Sequence, residues 1–172
     1  CMLQKNREGS IKKIRARYLL PVQTLSNLDR IQFERDRMNV LPTLKKQIQK
    51  YAKEFRLPWE LLASVAYQES KWNNDARSYT GVRGIMQLTE QTAEHLGVTD
   101  RSDQSQSLWG GAKYLRELIN QQPKTLHSRE KLALALVAYN VGSGHLKDAQ
   151  KLTLLNGGSE HLYYDIRRIL PK

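Results

Sequence analysis

From Pro42 onward, apolar residues recur at helical spacing. Leu44, Ile48, Tyr51, Ala52 and Phe55 follow one another at intervals of four, three, one and three, which places them on one face of a helix. Pro42 suits the first turn of that helix, which is expected to run to about Phe55. Pro58 opens the next helix, which covers the apolar run from Leu61 and ends near Ser70. Thr89 is an N-cap for a short helix that Gly97 stops. Further helices are expected from Gln104 to Gln121, from a Ser128 cap through Asn140, and near 143–153 and 159–169. Only Ser78–Val82 reads as a tight turn or hairpin, with Gly81 supplying the backbone freedom. The pattern predicts an all-α fold with one small hairpin and contains no repeat or heptad array.

Upstream of Pro42 the pattern weakens. Residues 11–20 have loose helical spacing and heavy charge, and Pro21 should end any helix there. The chain therefore divides into a basic segment, 1–41, and a helical module, 42–172. The net charge of +11 is uneven: residues 1–58 carry +9 and residues 59–172 carry +2. Such an excess attracts an anionic polymer or surface, or is an ordinary solvated face. The longest apolar stretch, Leu132–Tyr139, has eight residues, far short of the roughly 20 that a membrane span needs. The one cysteine, Cys1, excludes an internal disulfide. It is read as the acylated residue of a lipoprotein or as an accident of where the sequence starts.

Glu69 carries the candidate chemistry. On a helix it shares a face with Leu62, Val65 and Ala66. A carboxylate on an apolar face is costly unless paired or protonated, and desolvation raises its pKa, as a general acid requires. The alternative is a glutamate at a frayed helix end, facing water. No second acid stands near it in a comparable setting: residues 76–88 contain no Asp or Glu. Asp75, Glu90, Asp100 and Asp103 read as turn, cap or helix-start residues. The four histidines show no metal-ligand spacing, and no metal or cofactor is expected.

Three blocks in order, Glu69-Ser70, then Ser78 through Gly84-Ile85-Met86-Gln87, then Ala138-Tyr139-Asn140, resemble the lytic transglycosylase family with its goose-type lysozyme-like fold. The match covers roughly residues 57–150, with Ile85 where the family more often has Leu. The resemblance implies a lysozyme-like SLT fold and cleavage of peptidoglycan between N-acetylmuramic acid and N-acetylglucosamine. It implies Glu69 as the catalytic acid and then base. The muramic 6-hydroxyl attacks in place of water, closing a 1,6-anhydro ring. It implies substrate binding by Ser78, Met86, Gln87, Tyr139 and Asn140, with Tyr139 bonded to Glu69. Read as residues alone, Ser78 is also a turn serine, Met86 a core residue, and Gln87 a helix-start contact.

The resemblance is strongest to a membrane-associated subgroup in which a solute-binding-like regulatory domain precedes the catalytic module. It implies the periplasm of a Gram-negative bacterium, with peripheral outer-membrane association. The rival readings are a lysozyme-type hydrolase and a non-catalytic peptidoglycan-binding protein. A nucleic-acid partner is not expected, because no helix-turn-helix or RNA-binding motif accompanies the basic segment.

Overall fold

The computed structural model describes residues 26–79 and 81–170. Among them are eight helices: α1 Asn27–Asn39, α2 Leu41–Glu54, α3 Trp59–Ser70, α4 Glu90–Leu96, α5 Gln104–Asn120, α6 Ser128–Val141, α7 Ser143–Leu155 and α8 Tyr163–Ile169. The only bridges among the described residues join Arg77 to Arg83 and Arg83 to Leu88. The fold is all-α with one small hairpin, as the apolar spacing predicts. The described chain forms two compact units, one up to Arg116 and one from Glu117 onward. Cys1 and the 11–20 stretch lie outside the described residues.

The first unit is built on α2 and α3. The stripe Leu44, Ile48, Tyr51 and Ala52 is buried, as is the face of α3 formed by Leu62, Val65 and Ala66. The amino-terminal half of α5 adds Leu108, Ala112 and Leu115, all fully buried. Polar ties connect α2 and the loop after it to α5. Trp109 Nε1 donates to Glu54 Oε1 at 2.9 Å, Arg116 Nε donates to Phe55 O at 2.8 Å, and Tyr51 pairs with Ser105.

The sequence pattern assigns no element to 27–39, yet α1 forms there. Its start is a capping box. Ser26 Oγ accepts from the Asp29 amide at 3.1 Å, and Asp29 accepts from the Ser26 amide at 3.3 Å. Polar along most of its length, α1 holds to the unit through few contacts. The Phe33 ring meets Tyr67 edge-on at 5.0 Å. Buried Asp36 takes bonds from Gln32 at 2.8 Å and from the Tyr67 hydroxyl at 3.3 Å.

The second unit contains α6, α7 and α8. Leu134, Ala135, Leu146, Ala149 and Ile166 are buried. Two boundaries differ from expectation. The α6 N-cap is His127, whose ring accepts from the Arg129 amide at 3.3 Å; Ser128 is the first helical residue. The last helix starts at Tyr163, not 159, because Glu130 of α6 accepts from the Tyr163 amide at 2.9 Å and Asp165 accepts from the Ser159 amide at 2.9 Å. These bonds hold 159–162 as a turn.

Two predictions follow from this packing. Burial first, and then the Asp36 carboxylate, push the Tyr67 phenol up to about 12. A raised folded pKa favours the neutral phenol, so its contribution is complete below the ordinary tyrosine pKa of 10 and is lost as pH rises from there through about 12. Ultraviolet titration, taken as the difference from Tyr67→Phe, should show Asp36→Asn moving this ionisation toward lower pH. The second concerns Gly84, at φ +79, where an added Cβ would stand 1.9 Å from Arg101 O. Gly84→Ala should destabilise by at least about 2 kcal/mol. Gly144→Ala, with open space around it, should be neutral or stabilising by up to about 1 kcal/mol in the same denaturation assay.

Candidate active site

The carboxyl-terminal end of α3 carries Glu69 and is not frayed. Ser70, the last helical residue, is 9% exposed. Its hydroxyl lies 2.8 Å from Ile85 O and 3.1 Å from Ala66 O, so it ties the helix end to the hairpin segment. Lys71 and Trp72 then adopt left-handed backbone, φ 57 and 58. This reverses the chain sharply and costs roughly 1–2 kcal/mol per non-glycine residue. Trp72 offsets that cost. Its indole is buried, donates to Ala63 O at 2.8 Å and packs edge-on against Tyr67 at 4.5 Å. Glu69 is half-buried on the face shared with Leu62, Val65 and Ala66.

The hairpin is closed by Ser78 N to Val82 O and Gly84 N to Ala76 O, both 3.1 Å. Beyond it, Arg83 and Leu88 exchange amide bonds at 3.2 and 3.3 Å. Arg101 clamps it from outside, donating to Gly81 O at 2.8 Å and Leu88 O at 3.2 Å. Asn74 Nδ2 reaches Ser102 O at 2.7 Å. Ser78 is half-buried within this turn.

Gln87 and Met86 stand differently from the substrate contacts expected of them. Gln87 has φ 49, and its amide nitrogen donates to both Ala76 O and Gly84 O at 2.9 Å. Both donors are spent on the hairpin, so only its carbonyl oxygen remains for a ligand. Met86 has no exposed surface. Its side chain occupies the space where a Cβ on Gly111 would sit, 2.5 Å away. Of the two roles open to Met86 from sequence, this burial agrees with packing.

The neighbouring acids have local work. Asp103 Oδ1 accepts from the Gln106 amide at 2.7 Å at the start of α5. Asp100 accepts from the Ser102 amide at 2.8 Å, and Glu90 occupies the first turn of α4. Asp75 is exposed in the loop after α3. In the second unit, Tyr139 and Asn140 lie half-buried near the end of α6, which Gly142 terminates at φ 86. The Asn140 Nδ2 donor is buried without a hydrogen-bond partner.

The family model for the transglycosylase SLT domain matches residues 46–160. The chain belongs to that family. It is also similar to proteins named membrane-bound lytic murein transglycosylase F. Against that of Salmonella arizonae it is 43% identical over 166 residues, 96% of this chain and 32% of the relative. Against that of Haemophilus influenzae strain PittGG it is 42% identical over 163 residues, 95% of this chain and 33% of the relative. The chain spans about a third of the length of the curated relatives it matches.

Within this SLT domain the double use of the Gln87 amide generates a test. Gln87→Glu removes both donors and sets a carboxylate against two carbonyl oxygens. Denaturation should show a loss of roughly 2–3 kcal/mol. A residue serving substrate alone would leave stability unchanged.

Proposed function

We propose that the protein is a peptidoglycan lytic transglycosylase and that Glu69 is its single catalytic acid and base. The observation that carries this is a half-buried carboxylate on the apolar end of α3, while Asp100 and Asp103 accept local amide bonds and Asp75 and Glu90 are exposed. Membership of the SLT family supports the substrate class.

Protonated Glu69 donates to the glycosidic oxygen between N-acetylmuramic acid and N-acetylglucosamine, and the bond to the anomeric carbon breaks. The carboxylate then takes the proton of the muramic 6-hydroxyl. That oxygen bonds to the anomeric carbon, closing the 1,6-anhydro ring and returning Glu69 to its acid form. Intramolecular attack has an effective molarity that a second reactant lacks, so no second carboxylate is required.

Ser78 and the carbonyl oxygen of Gln87 contact the substrate. Asn140, whose buried Nδ2 has no partner among the described residues, donates to a substrate oxygen; leaving such a donor unmet costs roughly 1–3 kcal/mol. The relatives' name, membrane-bound, supports association with a membrane, and peripheral attachment to the outer membrane from the periplasm is part of the proposal. No described helix is long and apolar enough to cross a membrane. A solute-binding-like domain upstream of this module is part of the same proposal.

Glu69→Gln keeps shape and removes the transferable proton. Sacculus digestion should fall by about 10²–10⁴-fold or more, with the unfolding midpoint unchanged. Near-normal digestion by this variant would remove Glu69 from the reaction.

A further inference from the structure

A concavity of about 660 Å³ lies beside the hairpin, and its lining includes neither Glu69 nor Gln87. The volume is in the range of small-ligand sites. Its charged lining is unusual. Glu90 and Glu94 stand four residues apart on α4, on one helix face, and both line it. Arg83 and Arg101 line it too. Buried Ala93 and Val98 contribute apolar surface.

These charges do not neutralise one another. Among the described residues, neither Glu90 nor Glu94 makes an ion pair or side-chain hydrogen bond, and nor does the Arg83 guanidinium. The backbone holds them in place. Arg83 is pinned by its pairing with Arg77 and Leu88. Arg101 is fastened through one guanidinium nitrogen to Gly81 and Leu88, and its other nitrogens stay available. Two carboxylates at helical spacing i, i+4 repel. The same cleft thus presents unpaired acids and unpaired guanidinium groups around open space. A ligand carrying an ammonium and a carboxylate answers both.

We infer that this concavity binds a zwitterionic peptide, with Glu90 and Glu94 taking its ammonium and Arg83 and Arg101 its carboxylate. Given the function proposed above, on which this identification rests, the peptide is the stem peptide of the glycan strand. Such a contact lies apart from Glu69 and acts by holding substrate, not by chemistry.

The test uses the whole chain and a synthetic alanyl-γ-glutamyl-diaminopimelate tripeptide, titrated into isotope-labelled protein and followed by backbone amide shifts. Shifts should centre on Arg83, Glu90, Glu94 and Thr99. Glu90→Gln, Glu94→Gln and Arg83→Gln alter exposed side chains, and their amide spectra report that the fold is kept. Each should weaken binding by about two- to fivefold, and acetylating the diaminopimelate amine should abolish the response to the two glutamate changes. On glycan strands the Glu90→Gln/Glu94→Gln protein should be slower only where stem peptides are present, matching wild type on peptide-stripped strands. Shifts centred elsewhere, or equal binding by wild type and all three variants, would overturn the site. If the wild-type protein cleaves neither strand while the tripeptide still binds with this charge dependence, the site stands and the catalytic reading falls.

Discussion

The arrangement depends on one short contact, the Ser70 hydroxyl 2.8 Å from Ile85 O. It joins the last turn of α3 to the segment after the hairpin, so the end that bears Glu69 cannot fray away from the residues proposed to work with it. Everything nearby serves that junction. Lys71 and Trp72 take left-handed backbone to turn the chain immediately, and the buried Trp72 indole holds the turn against Ala63. On the far side, Ser107 Oγ accepts from the Met86 amide at 3.3 Å, and Gly84 leaves room for Arg101 to approach. A hydroxyl is small enough to sit in this buried corner and still satisfy a carbonyl, which a buried backbone group requires.

The same rigidity bears on the chemistry. A general acid works when its surroundings disfavour charge without preventing ionisation during the reaction. Glu69 is half-buried on an apolar helix face. The loops around it contain further acids, but Asp100 and Asp103 accept local amide bonds and so shape the backbone. This division of labour agrees with the proposal that a single carboxyl group does the catalysis. A reaction whose nucleophile belongs to the substrate needs no more.

Much of this was legible in the sequence. The caps at Thr89 and Gly97, the prolines at 42 and 58 and the apolar stripe of α2 mark their elements through local rules, and the structure follows them. What escaped depends on partners distant in sequence. Helix α1 has no apolar stripe; Phe33 and a buried Asp36 attach it, although its Ser26–Asp29 capping box was readable. The start of α8 is set by Glu130, thirty-three residues upstream. Met86 is buried where Gly111 lacks a side chain, and Gln87 spends its amide hydrogens on Ala76 O and Gly84 O. Once the hairpin is closed around them, Met86 packs and Gln87 keeps only its carbonyl oxygen for a ligand.

The central claim is that the substrate's own hydroxyl, not water, completes the reaction. Digestion of purified sacculi in oxygen-labelled water, with mass spectrometry of the released muropeptides, tests it most directly. The released muropeptides should carry 1,6-anhydro ends without label. Reducing ends that have gained one labelled oxygen would contradict it and make the protein a hydrolase.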